Sequence, residues 1–232
     1  MRASGVTAVV VDIEGTTSAT SFVYDRLFPY SRARFADYLA DPRLPALVER
    51  VGEQAGHPVD DQEAVALLAG WVDADAKVTV LKDVQGVIWA DGFARGELVS
   101  HLFPDVVPAL RAWHAAGVPL YVYSSGSVTA QRAWFGHTDA GDLTGLFDGF
   151  FDTANAGPKR EMSSYTRIAQ AIDHAPAGLL FLSDVVAELD AATAAGWQVV
   201  QVTRPGEPHA AGATHPVVDS FADVEIAPAS RS

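Results

Sequence analysis

The sequence predicts an α/β fold whose core is a Rossmann-like parallel sheet. Four short apolar runs lie at residues 6–13, 118–124, 177–183 and 197–203, and each is followed by apolar residues at helical spacing. Near-continuous apolar runs of this length are typical of strands that are buried on both faces. Strands that alternate with helices form parallel sheets through right-handed crossovers. A weaker fifth strand is predicted at residues 149–152.

About a hundred residues separate the first two runs, which is far more than one crossover helix needs. Within this stretch, apolar residues recur at helical spacing and are interrupted by Pro and Gly. We therefore predict a mostly helical cap domain at residues 18–101. It would be inserted into a discontinuous core formed by residues 1–17 and 102–232. The stretch 104–117 is predicted to be a helix of that core.

Composition and charge argue against several classes of protein. A chain of 232 residues with 49% hydrophobic content can bury a large core. Its net charge of -13 would repel the phosphates of DNA and RNA, so we expect no nucleic-acid partner. The absence of cysteine excludes thiolate chemistry and leaves oxygen ligands for a metal. No run of about 18 apolar residues occurs, so we expect a cytoplasmic protein without a membrane partner. The polar end past about residue 226 is expected to be frayed.

Acidic side chains follow two of the predicted strands. Ligands of open parallel sheets collect outside the carboxyl ends of the strands, so these residues are expected to meet. Asp12 and Glu14 lie at the end of the first run. Because they are two residues apart, their side chains would project to the same side of an extended chain. Asp184 would join them from the end of another strand. Two carboxylates about 4 Å apart repel by roughly 4 kcal/mol at an effective dielectric near 20, so a cation should lie among them. Mg²⁺ is the simplest choice, although the sequence does not exclude another hard divalent ion.

A phosphate group beside this cation needs hydrogen-bond donors and a nucleophile. Ser124 and Ser125, near the start of a predicted helix, can donate hydrogen bonds, and Lys159 can add a positive charge. We assign Asp12 as the nucleophile that forms an aspartyl phosphate. We assign Glu14 as the group that protonates the leaving oxygen and then activates water. Together these residues predict a phosphatase.

Taken singly, the same residues have ordinary explanations. Asp12 or Glu14 alone is most often a turn or capping acid, and Lys159 alone is usually a solvated surface lysine. Two roles fit Glu188 equally well: it either orients the metal site or is a solvated residue of a helix. Ser127 is expected only to cap the following helix.

The segments that carry these residues are similar to those of a known family. DIEGTT at residues 12–17 resembles the first signature of haloacid dehalogenase-like phosphatases, except that Glu14 replaces the usual second aspartate. With this difference, five segments are similar to the enolase-phosphatase family of methionine salvage, also called acireductone synthase. They are DIEGTTSATSFVYDRLFPY, LKDVQGVIW, YVYSSGSVTAQRAWFGH, GFFDT and FLSDVVAELDAATAAGW, and the similarity covers about residues 7–206.

The resemblance implies a core of the haloacid dehalogenase type, a reaction and a site. The family enolises 2,3-diketo-5-methylthiopentyl-1-phosphate and then removes its phosphate to give an acireductone, with Mg²⁺ as the cofactor. The implied metal ligands are Asp12, Asp184 and Glu14, the last through its main-chain carbonyl. The implied substrate contacts are Ser124, Ser125 and Lys159. The stretch TANAGPK, which ends at Lys159, departs from the family pattern and bears on the exact pose of that lysine.

Two other functions fit parts of the pattern. A phosphatase for another small metabolite, such as phosphoglycolate or phosphoserine, would share the scaffold, but Glu14 and the inserted segments favour the enolase-phosphatase. A signalling receiver that is phosphorylated on aspartate is usually much shorter and lacks the insertion. We therefore expect a small phosphorylated methylthio-pentane as the substrate, and a monomeric enzyme.

Overall fold

The computed structural model describes residues 1–74, 76, 78–209, 211–212 and 214–228. The chain forms two compact units, one of Met1–Thr20 with Ser100–Ser232 and one of Ser21–Val99. We call them the core unit and the inserted unit. In the described residues, all strands belong to the core unit, and the inserted unit is built from helices.

The strands of the core unit form two parallel sheets. The described residues contain β1 (Arg2–Val6), β2 (Ala8–Val11), β3 (Leu120–Tyr123), β4 (Gly149–Phe151), β5 (Leu179–Ser183), β6 (Gln198–Val202), β7 (Val217–Val218) and β8 (Glu225–Pro228). The main sheet has the order β4-β3-β2-β5-β6-β7, and β1 pairs with β8 in a two-stranded sheet. All strand pairs of the main sheet are parallel, so the predicted α/β parallel-sheet core is confirmed.

Ten α-helices lie in the described residues. They are α1 (Thr20–Phe22), α2 (Phe28–Arg32), α3 (Phe35–Tyr38), α4 (Leu47–Ala55), α5 (Asp61–Asp73), α6 (Thr79–Ala94), α7 (Val106–Ala115), α8 (Val128–Gly136), α9 (Met162–Ala171) and α10 (Val186–Ala194). A π-helical turn, Val23–Leu27, joins α1 to α2. Helix α7 is the core helix that was predicted at residues 104–117. None of the described helices is long and apolar enough to cross a membrane.

The centre of the main sheet is fully buried. Every residue of the neighbouring strands β2 and β5 is buried, and these strands pair in parallel from Ala8–Leu179 to Val11–Leu182. One face packs on a cluster that contains Tyr123, Tyr165 and Phe181, whose rings meet largely edge to face at centroid distances of 5.4–6.4 Å. Burial on both faces explains why the sequence shows near-continuous apolar runs at these strands.

The first apolar run is two strands rather than one. β1 ends before Thr7, whose backbone N–H donates to the Gly178 carbonyl at 2.7 Å, and β2 begins directly after it. β1 pairs with β8, which the sequence analysis did not predict because β8 is only four residues long and ends at a proline. The expectation of a frayed end past about residue 226 is wrong for residues 227 and 228, which belong to β8. Residues 229–232 lie outside the described residues.

The inserted unit has an apolar core of its own. Leu68 of α5 and Val84 and Ile88 of α6 are fully buried in a cluster with residues of α3 and α4. Helix α5 begins with a side-chain cap, because the Asp60 carboxylate accepts a hydrogen bond from the Glu63 N–H at 2.8 Å. The helical spacing of apolar residues in this stretch therefore reflects packing within the inserted unit.

Candidate active site

The candidate site lies at the carboxyl edge of the main sheet, where the strand order reverses. Asp12 directly follows β2, and Ser124 and Asp184 directly follow β3 and β5, the two neighbours of β2. The backbone N–H of Asp12 donates to the Leu182 carbonyl of β5 at 3.0 Å. Ligands of open α/β sheets bind at this position.

A tight loop after β2 sets the direction of the chain at Asp12. The Ile13 carbonyl accepts hydrogen bonds from the backbone N–H groups of residues 16–18 at 2.9–3.2 Å, and Gly15 has a φ of 73°. The strand ends one residue before Asp12, so the alternation of strand faces used in the sequence analysis does not extend to Glu14. Glu14 lies in the turn with an exposed side chain. Its catalytic role therefore stays a prediction.

Lys159 lies between two buried carboxylates. Its Nζ is 2.6 Å from Asp12 Oδ1 and 2.6 Å from Glu188 Oε2, and all three side chains are 10% exposed or less. Glu188 also accepts a hydrogen bond from the Ser183 hydroxyl at 2.9 Å. Lys159 is thus a buried member of the site rather than a surface lysine, and Glu188 is its partner rather than a solvated helix residue.

Burial dominates the electrostatics of this group. It raises the pKa of Asp12 to about 8, although the Lys159 ammonium opposes the rise, and the Glu188 and Asp184 carboxylates add to it. Burial also lowers the pKa of Lys159, but the Asp12 and Glu188 carboxylates outweigh this effect, and the net shift is upward. Strongly shifted groups that are buried beside a specific charge partner are typical of functional sites.

Asp184 is held against the loop after β2. Its backbone N–H donates to the Thr16 hydroxyl at 3.0 Å, and this hydroxyl in turn donates to Asp184 Oδ1 at 3.4 Å. A Cβ on Gly15 would lie 2.2 Å from Asp184 Oδ2, so only glycine allows this close approach. On the other side, His209 Nδ1 lies 2.6 Å from Oδ2. Burial raises the pKa of Asp184, and His209 opposes the rise.

Two supporting residues, His209 and Arg204, were missed as parts of the site by the sequence analysis. Arg204 is buried, donates from Nε to the Thr16 carbonyl at 3.0 Å, and donates from Nη1 to both Asp105 carboxylate oxygens at 2.8 Å. These partners lie 188 and 99 residues away along the chain. Because the contacts are so distant in sequence, no local motif could have shown them.

The two serines predicted to contact phosphate lie at the end of β3. Ser124 is buried, and its hydroxyl accepts a hydrogen bond from the Gly126 N–H at 3.3 Å, whereas Ser125 is exposed. Ser127 caps α8, as predicted, because its hydroxyl accepts a hydrogen bond from the backbone N–H three residues on, at 3.2 Å. Among the described residues, no hydrogen bond joins Ser124 or Ser125 to the carboxylates or to the ammonium of the site.

The oxygen donors near Asp12 suit a hard divalent cation. Asp12 and Asp184 are carboxylates with only 4% and 2% exposure, and Glu14 has a main-chain carbonyl in the adjoining turn. Within the described part of the chain, no three or more His, Cys, Asp or Glu side chains are grouped to hold an ion. Mg²⁺, however, commonly uses one or two carboxylates and completes its shell with waters and substrate phosphate. The residues present therefore fit Mg²⁺.

The fold and this buried acid–lysine group define a class of enzyme. A family model for haloacid dehalogenase-like hydrolases matches residues 6–196. The structure of the UTR4 protein from Saccharomyces cerevisiae has a TM-score of 0.78 and 30% identity to this chain, and the match covers 94% of this chain and 99% of that one. CbbY from Rhodobacter sphaeroides, solved in complex with phosphate, shares the fold with a TM-score of 0.63 at 20% identity, over 94% of this chain and 96% of that one. The chain belongs to the haloacid dehalogenase-like hydrolase family.

Within that family, the chain is similar to curated proteins that share one name. Enolase-phosphatase E1 of Streptomyces avermitilis is 54% identical over 231 residues, covering 96% of both chains. Enolase-phosphatase E1 of Frankia alni is 54% identical over 222 residues, covering 94% of both chains. The resemblance drawn from the sequence motifs is therefore confirmed.

The contact between Gly15 and Asp184 gives a stability prediction with a matched control. Gly15 and Gly5 both have positive φ, 73° and 67°, so alanine at either position costs about 1–2 kcal/mol in backbone strain. Only Gly15→Ala also forces a Cβ into the Asp184 carboxylate, since nothing lies within 4 Å of a Cβ on Gly5. Gly15→Ala should lower the free energy of unfolding by about 1–3 kcal/mol more than Gly5→Ala, as measured by urea unfolding. Equal losses in the two variants would contradict the close packing.

Proposed function

We propose that this protein is an enolase-phosphatase of methionine salvage and a Mg²⁺-dependent phosphoric monoester hydrolase. Its substrate is 2,3-diketo-5-methylthiopentyl-1-phosphate. The products are the acireductone 1,2-dihydroxy-3-keto-5-methylthiopentene and inorganic phosphate. The similarity to enolase-phosphatases over nearly the whole chain supports this substrate. We further propose that the enzyme acts in the cytoplasm as a monomer.

The observation that carries the proposal is the buried group of Asp12, Lys159 and Glu188 at the switch point of the sheet. A capping or turn acid is stabilised by backbone N–H groups and needs no buried lysine. Burying a lysine together with two acids is costly unless the charges pair with excellent geometry, and such groups are more often kept for function than for stability. A carboxylate held next to a positive charge is suited to attack phosphorus, because that charge offsets the negative charge of the phosphate.

In the proposed phosphatase step, which follows enolisation of the bound substrate, Asp12 attacks the phosphorus in line with the leaving oxygen. A bond forms between an Asp12 carboxylate oxygen and phosphorus, and the bond from phosphorus to the substrate oxygen breaks. Lys159 holds Asp12 in place and offsets charge on the phosphoryl oxygens. Ser124 and Ser125 would donate hydrogen bonds to the same oxygens from the end of β3.

Glu14 is proposed to act in both halves of the reaction. Its carboxylic acid gives a proton to the leaving oxygen, and the resulting carboxylate then takes a proton from the water that attacks the aspartyl phosphate. Its exposed position in the turn after Asp12 gives it access to this water. The second attack breaks the bond between the phosphorus and Asp12 and restores the free carboxylate.

Mg²⁺ is the proposed cofactor, one ion per chain. Asp12, Asp184 and the main-chain carbonyl of Glu14 would hold it. When bound, Mg²⁺ supplies positive charge that polarises the phosphoryl group and orients it for attack. Thr16 and the Gly15 turn fix the Asp184 carboxylate within reach of that position.

A substrate comparison tests the proposed function. The value of kcat/KM for 2,3-diketo-5-methylthiopentyl-1-phosphate should exceed that for phosphoglycolate, phosphoserine and p-nitrophenyl phosphate by at least about 100-fold, since the remote part of a cognate substrate contributes binding energy. Phosphate release and formation of the enediol product are measured side by side. A preference for the simple esters would remove the methionine-salvage assignment and leave a phosphatase for another metabolite.

The nucleophile is tested by Asp12→Asn. We expect kcat for phosphate release to fall at least about 10³-fold, because an amide cannot form the aspartyl phosphate. Asp190→Asn is the control, since Asp190 is 59% exposed on α10 and pairs only with His215 among the described residues. Substantial phosphate release by Asp12→Asn would refute the assignment. A phosphoryl group that stayed on Asp12 of the native protein for hours would indicate a receiver instead of a phosphatase.

Metal dependence is tested by chelation. Treatment with EDTA followed by removal of the chelator should abolish phosphate release, and Mg²⁺ should restore it. The reason is that the two buried carboxylates need a cation before they can accept a phosphate dianion. Full activity in the chelated enzyme would contradict the proposed cofactor.

A further inference from the structure

Three consecutive main-chain carbonyls that end at Lys159 are each held by a buried hydroxyl group. The Tyr123 hydroxyl donates to the carbonyl of residue 157 at 2.7 Å. The Ser164 hydroxyl donates to the carbonyl of residue 158 at 2.8 Å, and the Tyr165 hydroxyl donates to that of residue 159 at 2.7 Å. All three donors have 0% exposure. Tyr123 ends β3, and the other two belong to α9, so the donors come from two rigid elements. We call these three residues the hydroxyl clamp.

The loop needs the hydroxyl clamp because it lies outside any helix or strand. Residues 157 and 158 have no regular secondary structure, and a buried carbonyl without a partner destabilises the fold. The Pro158 carbonyl also accepts a hydrogen bond from the Glu161 N–H at 3.1 Å, so the two tyrosine hydroxyls are the more important members of the clamp. Gly157 has a φ of 106°, and a Cβ there would lie 2.7 Å from the Ser164 hydroxyl and 2.8 Å from Arg167 Nη2. Glycine therefore lets the loop lie close enough to α9 for the hydroxyl groups to reach it.

We propose that the hydroxyl clamp is a set of positioning residues that aims the Lys159 ammonium at Asp12 and Glu188. A lysine side chain has many rotamers, and fixing its backbone on both sides limits the positions that Nζ can reach. The ring of Tyr123 also lies beneath the ammonium, with Nζ 5.8 Å from the ring centroid, a distance at which a cation and an aromatic face attract. The same tyrosine thus contacts the loop through its hydroxyl and the lysine through its ring.

The hydroxyl clamp lies at the end of the segment TANAGPK, residues 153–159. TANAGPK departs from the family pattern, yet Lys159 reaches both carboxylates at 2.6 Å. The first part of the segment is held by Asn155, whose side chain accepts a hydrogen bond from the Asp152 N–H at 2.8 Å and donates to the Phe150 carbonyl at 3.2 Å, and the hydroxyl clamp holds its last three carbonyls. The inference rests on the role of Lys159 in the proposed function, so its test includes a measurement that does not depend on turnover.

The test uses Tyr123→Phe, Tyr165→Phe and the double variant. Each substitution removes a hydroxyl and keeps the ring, so the packing and the face beneath the ammonium remain. The chain has three lysines, Lys77, Lys82 and Lys159, and Lys82 is exposed. A brief pulse of acetic anhydride, followed by peptide mass spectrometry, gives the labelling of Lys159 relative to Lys82. This ratio should rise about fivefold in each single variant, as expected for the loss of one hydrogen bond, and further in the double variant.

Kinetics of the same variants separate positioning from general destabilisation. With a phosphate ester that the wild-type enzyme hydrolyses, kcat should fall about fivefold in each single variant. Tyr121→Phe is the matched control: it lies two residues away on β3, and its hydroxyl makes no hydrogen bond to residues 157–159. Neither the labelling ratio nor kcat should change in that variant. If a tyrosine variant does not fold, Ser164→Ala removes the middle hydroxyl and is measured in the same way.

The outcomes separate the two proposals. A rise in Lys159 labelling together with a lower kcat supports the hydroxyl clamp. An unchanged labelling ratio in the folded single and double variants overturns it, and so does a labelling rise with unchanged kcat, because the loosened lysine would then not matter for the reaction. If the wild-type enzyme hydrolyses no phosphate ester, the proposed function fails, whereas the labelling ratio still decides whether the hydroxyls position Lys159.

Discussion

The arrangement of the candidate site depends on one buried ammonium that is shared by two carboxylates. A charge inside a protein costs several kcal/mol unless a partner of opposite charge and further hydrogen bonds compensate it. Lys159 meets this condition only if Asp12 after β2 and Glu188 in α10 are both within reach. The parallel pairing of β2 with β5 brings the two acids to the same edge of the sheet, because α10 begins just after β5. The apolar strands thus provide the rigid frame that the buried charges need.

A second network connects the loops at this edge and holds Asp184 against the loop that follows Asp12. Thr16 bonds Asp184 through its hydroxyl, and its carbonyl accepts a hydrogen bond from Arg204. Arg204 is itself fixed by both carboxylate oxygens of Asp105, at the start of α7. The loops after β2, β5 and β6 are therefore cross-linked by charge-assisted hydrogen bonds, which are stronger than neutral ones. Such support from outside the site limits how far the acids can move apart when their charges repel.

Much of the fold and of the candidate site could be predicted from the sequence. The features that could not be predicted have one physical cause in common. Buried strands leave continuous apolar runs, and strand ends bring their polar residues together. Five strands of the main sheet, all but β7, and the positions of Asp12 and Asp184 at strand ends therefore followed from local patterns. The split at Thr7 depends on a hydrogen bond to Gly178, and β1 pairs with β8 more than 200 residues along the chain, so neither feature follows from a local pattern. The contact between His209 and Asp184 likewise joins residues with no shared motif. Sequence patterns predict elements and strand ends, whereas long-range side-chain pairs require the three-dimensional packing.

The balance of charge at the site connects burial to catalysis. Asp12, Glu188 and Asp184 contribute three carboxylates near one lysine ammonium, so negative charge is in excess when all of them are ionised. Burial raises the pKa of Asp12, the Glu188 and Asp184 carboxylates add to the rise, and the Lys159 ammonium opposes it. A carboxylic acid is a poor nucleophile, so a positive charge that favours the ionised form of Asp12, as the Lys159 ammonium does at 2.6 Å, favours the proposed attack on phosphorus. The burial of Asp12 thus makes the proposed nucleophile depend on the positive charge that is held beside it.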